Sequence, residues 1–420
     1  MINTQSRSSN IFIGIGDSVA FIIPCLMFIE VTLIGRLFLP EVILLTASIF
    51  LISTRGRMLK EELPRKVILL GIAWLCALML TDAIRETPFE DWSRGWSKII
   101  FLLLNFLTIY LYINGKEKRL YLFAAGIAAG QILDYFLSPN VYAQGHPWKF
   151  GYGTAFTLFV ILFSQLRFFK KWKYFSPAII FSVGILNFYM GFRSLGLICL
   201  LTGGVLYLKQ SNKFNIKKIK LSKIITLFML GIVSIYSIIL IYDYGVNENW
   251  FGAEARAKYQ FQSSGELGIL LGGRKEILAS SQAVIDSPII GHGSWAKDPK
   301  YVDIMISALS KYGYKVPGEI KSDLIPAHSY IMGAWVEAGF IGAIFWFWVL
   351  ILVIRALIAT LTSNSNLAPL IVFFAFNMLW NIPFSPFGAE ARLHVAYALT
   401  LMMFALMLPK KYPILRNGIK

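Results

Sequence analysis

Apolar runs of about 20 residues recur along this chain between short basic breaks, and no other feature constrains its fold as strongly. A helix needs about 20 apolar residues to cross a ~30 Å hydrocarbon layer, and only structures that satisfy their own backbone N–H and C=O groups can do so. About twelve such runs stand near residues 17–34, 38–53, 67–85, 98–113, 120–138, 151–168, 175–191, 194–208, 222–242, 327–354, 366–384 and 393–409. The second and eighth are short, so one of them could be re-entrant instead of spanning. Hydrophobic residues make up 56% of the chain and charged residues 15%, where soluble domains carry about 25% charged. That excludes an ordinary cytosolic enzyme, a disordered chain and a nucleic-acid-binding domain. The pattern predicts an all-α polytopic membrane protein with about twelve transmembrane helices.

The formal charge of +17 does not by itself indicate a polyanionic partner, because membrane proteins hold Lys and Arg in their cytoplasmic loops. With the N-terminus inside, the breaks at 55–66, 116–119, 167–173 and 209–223 and the segment 410–420 fall on the cytoplasmic side and carry most of the Lys and Arg. The short outside segments then hold only Arg36, Arg85, Arg94, Lys98, Lys149, Arg193 and Arg392. Both termini are therefore expected in the cytoplasm. Cys25, Cys76 and Cys199 lie far apart inside apolar runs, a distribution that suits neither a disulfide framework nor a zinc site. The first apolar run, with no small-residue cleavage site after it, reads as a retained anchor.

Residues 243–326 break the economy of short connections, and long irregular segments in compact proteins are usually functional. The expected organisation is nine helices over 1–242, an outer loop with short amphipathic helices over 243–326, and three helices over 327–420. Within the loop, Gly272 to Asp286 has helical periodicity with Ile277, Leu278, Ser281, Val284 and Ile285 on one face. Arg274 would then stand in the first turn, where free N–H groups favour anions; a surface helix lying on the bilayer is the plainer reading. The Gly291-His292-Gly293 segment after Pro288 reads as a tight turn.

His328 stands at the mouth of the next apolar run, where an imidazole can accept a proton or serve structure alone. Arg193 lies between two apolar runs with almost no loop to carry it into water, so an anionic partner, a ligand or snorkelling to the interface must accommodate it. Trp92, Arg94, Trp96 and Lys98 read most simply as an interfacial belt. Asp17, Glu30, Asp134 and Glu337 are too scattered for a proton relay or a metal box.

Four motifs in this order resemble the O-antigen ligase and O-antigen polymerase superfamily of bacterial envelope glycosyltransferases. They are Gly-Phe-Arg193-Ser at a helix junction, Gly273-Arg274 opening a loop helix, Pro288-Ile-Ile-Gly291-His292-Gly293, and Ala327-His328-Ser329-Tyr330 followed by Glu337-Ala-Gly339-Phe-Ile-Gly342. The likeness covers roughly residues 185–345 as motif and the whole chain as architecture. It implies a polyprenyl-phosphate-dependent, GT-C-like fold in the bacterial inner membrane, with the large loop between helices 9 and 10 and the active site facing the periplasm.

It also implies transfer of a glycan from undecaprenyl diphosphate to a hydroxyl of the lipid A core, with Arg193 and Arg274 on the diphosphate and His328 at the reacting centre. No metal and no cofactor are implied. The residue after the histidine is commonly Asn in that family and is Ser329 here. An O-antigen or exopolysaccharide polymerase, with another lipid-linked glycan as acceptor, is the alternative within the family. A transporter or flippase for a lipid-linked sugar is the alternative outside it, although transporters keep polar broken-helix sites near the midplane in corresponding halves.

Overall fold

A computed structural model describes residues 15–32, 35–211, 243–248, 250, 256, 259–260, 263–264, 274–314 and 323–411. Among the described residues helix accounts for about 79%, and six helices are long and apolar enough to cross a membrane, so the chain is an all-α membrane protein. In chain order, α1 (Ile15–Cys25) leads to a hairpin of β1 (Glu30–Thr32) and β2 (Arg36–Phe38). Then come α2 (Leu39–Arg55), α3 (Glu62–Ile84), α4 (Phe89–Ile113), α5 (Glu117–Leu137), the short α6 (Val141–Gly145), α7 (Gly153–Phe163), α8 (Phe175–Tyr189) and α9 (Arg193–Gln210). The second half holds α10 (Glu276–Asp286), α11 (Pro299–Lys311), α12 (Tyr330–Leu361), α13 (Ala368–Phe384) and α14 (Ala389–Lys411). The apolar run at 222–242, the basic residues at 213–223 and Gly272-Gly273 lie outside the described residues.

The first apolar run does not continue as helix to residue 34. Pro24 lies near the end of α1, where a missing N–H and a ring clash oppose further helix, and Val31 and Thr32 pair in antiparallel register with Leu37 and Arg36. Elsewhere large apolar side chains cover the outside of the bundle, Ile49 and Phe50 of α2 being 75% and 69% exposed. Such surface suits lipid and not water. The interior is apolar as well as the outside, and α14, packed against α4, α12 and α13, is the most enclosed of the six candidate spans.

Close packing in a bilayer relies on small residues, because lipid chains are as apolar as the helices themselves. At α8 and α9, Gly184 and Gly196 bring the two backbones together, and a Cβ at either would press on Leu200 or Phe188. The turn between these helices needs Gly191 at φ +76°, and Phe192 N–H closes it by donating to Asn187 O at 2.8 Å. This sharp reversal is why Arg193 has no loop around it.

Helix α12 is interrupted at Gly339 (φ 65°, ψ −164°). A broken membrane helix is tolerated only where neighbours take up its freed backbone groups. Here residues 287–294 do so: His292 N–H donates to Val336 O at 2.7 Å, Gly293 N–H to Glu337 O at 3.0 Å, and Phe340 N–H to Pro288 O at 3.0 Å. The other side of the same turn is fixed to α3. Arg85 donates to Gly291 O and Ser287 Oγ, while Asp82 accepts from Ser294 N–H and Ser294 Oγ, each at 2.7 Å. The glycine-flanked turn is therefore a strap that joins α3 to α12, and His292, whose Nε2 lies 2.8 Å from Ala283 O, belongs to it.

Candidate functional site

The segment 274–276 carries three of the groups that matter. Arg274 precedes α10, its carbonyl accepting from Ile277 N–H at 3.1 Å, so it stands just before the first helical turn instead of within it. Its guanidinium lies over the rings of Trp380 and Phe384 of α13, 5.5 and 5.4 Å from their centroids, which is cation–π distance. Burial lowers the Arg274 pKa, Glu276 opposes that shift, and the charge of Arg193 adds to it.

Residues flanking Arg193 also line a small cavity of about 160 Å³, where Phe192, Ser194 and Leu195 meet Trp380, Asn381 and Ser385. Trp380 belongs both to this cavity and to the Arg274 contact. The α9 start borders this cavity and the Arg274 guanidinium lies over Trp380 in its wall, and helix N-termini and guanidinium groups both favour anions.

Glu276 opens α10, and its Oε1 lies 3.2 Å from Nδ1 of His328, with the carboxylate side chain 17% exposed and the imidazole 52%. Burial raises the Glu276 pKa, but the hydrogen bond from His328, the residue's own backbone N–H and the charges of His328 and Lys275 outweigh it, and the net shift is downward. His328 itself is held by its neighbour: Ser329 Oγ accepts from Met332 N–H at 3.2 Å, capping α12, and donates to Ile382 O at 3.0 Å. Ser329 is therefore an N-cap that ties α12 to α13, a structural task for the position at which the family pattern departs.

His328, Glu276 and Lys275 line a cavity of about 1100 Å³ at this end of the bundle. Its wall includes Trp74, Tyr330 and Phe387, which form one aromatic cluster with Trp346. Lys98 and Glu337 face into the same space as an ion pair of 2.6 Å with both side chains less than one-fifth exposed. Arg94 and Trp295 stand at the rim with the guanidinium 6.0 Å from the ring. Trp295 adopts φ +52°, a costly conformation for a bulky residue, and the adjoining Ser294 is clamped by Asp82.

Trp380 lies under Arg274 and in the small cavity beside Arg193, and Arg274 shares a three-residue segment with the partner of His328. Neither arginine lines the large cavity. The periodicity of α10 misled in one respect: its buried face is Ala279, Ser280 and Ala283, while Ile277 and Ile285 are exposed. The belt reading of residues 92–98 also needs correction. Trp96 Nε1 donates to Asp82 at 2.7 Å, and Arg94 and Lys98 line the cavity. Glu276 and the Lys98–Glu337 pair carried no local sequence signal, since their partners lie far along the chain. Among the described residues, no group of three or more His, Cys, Asp or Glu side chains could hold a metal ion.

No protein-family model matches this chain, and no curated protein matches it. The family resemblance rests on the motif residues themselves.

Proposed function

We propose that the protein is an O-antigen ligase of the bacterial inner membrane, moving a glycan from undecaprenyl diphosphate to a hydroxyl of the lipid A core on the periplasmic face. In this reading the bundle has twelve spans and residues 243–326 form the periplasmic loop, with both termini in the cytoplasm. The observation that carries it is that the Arg274–Glu276 segment touches Trp380, which shares a small cavity with the residues flanking Arg193, on one side and His328 on the other.

The chemistry follows from those groups. A sugar on a diphosphate already has a good leaving group, so the catalyst must stabilise charge on the departing oxygens and take the acceptor proton. Arg193 and Arg274 hold the diphosphate, their planar forks meeting phosphate oxygens in bidentate fashion. Neutral His328 takes the proton of the acceptor hydroxyl as the acceptor oxygen bonds to the anomeric carbon and the carbon–phosphate oxygen bond breaks toward the lipid diphosphate. The large cavity, polar around His328 and aromatic along one wall, holds the acceptor sugar. The reading assigns no step to a metal or cofactor.

Reconstitution in liposomes with a defined lipid-linked donor and two acceptors, lipid A core and a second lipid-linked glycan, tests this function. Product on lipid A core is expected. His328→Ala, Arg193→Ala and Arg274→Ala should each cut transfer by roughly 10²-fold or more while the protein still inserts. Product only on the second lipid-linked glycan would make the protein a polymerase, and substrate movement without a glycosidic product would make it a transporter.

A further inference from the structure

We propose that Glu276 is the positioning residue for His328, fixing its tautomer so that Nε2 faces the acceptor hydroxyl as a proton acceptor. This rests on the transfer reading above. A carboxylate can only accept at this contact, so the 3.2 Å approach of Glu276 Oε1 to His328 Nδ1 requires the proton on Nδ1. In the neutral imidazole Nε2 is then the unprotonated nitrogen, the one able to take a proton. An imidazole half exposed at a cavity mouth has rotational freedom and two neutral tautomers, of which this contact selects one. Glu276 itself is held in the first turn of α10 and is largely buried, with its pKa shifted downward so that it remains a carboxylate.

The placement also links the two halves of the reaction. Arg274 is two residues before Glu276, so the short segment that stacks on Trp380 to meet the donor's diphosphate also orients the group that activates the acceptor. During transfer the acceptor O–H proton passes to His328 Nε2, giving an imidazolium whose Nδ1–H bond to the carboxylate becomes charge-assisted and stronger. The lipid diphosphate leaves with the bonding electron pair, and the imidazolium returns its proton to solvent.

The test compares steady-state kinetics of Glu276→Gln, Glu276→Ala, Glu276→Asp, His328→Ala and the Glu276→Gln/His328→Ala double variant in the reconstituted reaction. Glu276→Gln should lower kcat by roughly 10²-fold while leaving KM for the donor near the wild-type value, because tautomer control acts on proton transfer and not on binding. Glu276→Asp, which keeps the carboxylate, should recover part of the lost rate relative to Glu276→Ala. The double variant should be no slower than His328→Ala, as expected for residues acting as one unit.

Wild-type kcat in Glu276→Gln, a loss confined to KM, an Asp variant no better than Ala, or a double variant well below His328→Ala would each overturn the positioning role while leaving transfer itself standing. Absence of product with the wild-type protein would instead overturn the transfer reading, and this inference with it. If the Gln variant fails to accumulate, the Asp and Ala comparison decides alone.

Discussion

Arg392 and Glu41 show what a buried charge demands in this setting. Arg392 is 3% exposed and Glu41 1%; Arg392 Nη2 donates to Glu41 Oε2 at 2.6 Å and to Arg36 O at 2.7 Å, and Asn105 Nδ2 donates to Glu41 Oε1 at 3.1 Å. Desolvating two such ions costs heavily, and their mutual contact together with these hydrogen bonds offsets it. Arg392→Leu should therefore destabilise the protein by about 3–5 kcal/mol, since it strands the Glu41 carboxylate. The Glu41→Leu/Arg392→Leu double variant should recover most of that loss, as thermal unfolding in detergent would measure; a double variant as unstable as the single would refute the pairwise account. The sequence marked Arg392 only as an outside-loop cation. Nothing within a few residues of it announces a partner 351 positions away.

Individual elements were legible in proportion to how local their causes are. Helices α2 to α5 follow from length and hydropathy alone, and Arg193 is conspicuous because the Gly191 turn leaves it no loop. The break in α12 was not legible. A glycine within an apolar run reads as ordinary helix, and here it is the strap from residues 287–294 that takes up the freed backbone groups. Gly339→Ala should consequently be severe, because the backbone stands in a region open essentially to glycine and a Cβ would collide with the Ile289 carbonyl oxygen. Loss of about 3 kcal/mol or more is expected, with faster proteolysis at 287–294; unchanged stability and protease resistance would show that the break is not needed.

A second element-scale prediction concerns acid. Asp286 of α10 accepts from Lys300 at 2.7 Å, from Gln282 at 2.8 Å and from Tyr301 at 2.9 Å, and these bonds pull its pKa from 3.8 to about 2. A carboxyl depressed on folding contributes stability that is complete above its unfolded pKa and disappears as pH falls through the folded one. The α10–α11 contact should therefore survive at pH 5 and weaken between pH 4 and about pH 2. Amide hydrogen exchange across 276–311 would detect this, and the acid-dependent change should be absent in Asp286→Asn.

At the scale of the molecule, three ion pairs tie distant parts of the chain around the large cavity, each with at least one member in its wall. Lys98 with Glu337, Glu276 with His328, and Arg392 with Glu41 each join a helix or loop of one part of the chain to another. Composition and spacing anticipated an all-α membrane protein and singled out Arg193, Arg274 and His328. They carried no information on how those residues are held, because a carboxylate such as Glu276 acquires its meaning only from the histidine that the fold brings beside it.

The central claim is that Arg193 and Arg274 grip one diphosphate next to His328. Binding of an undecaprenyl-diphosphate-linked glycan to the purified protein, compared across Arg193→Ala, Arg274→Ala and His328→Ala, tests it most directly. Each arginine variant should lose roughly 10- to 100-fold in affinity, the equivalent of about 1.5–3 kcal/mol for a charge-assisted hydrogen bond, while His328→Ala binds the donor like the wild type. Wild-type affinity in both arginine variants would contradict the account.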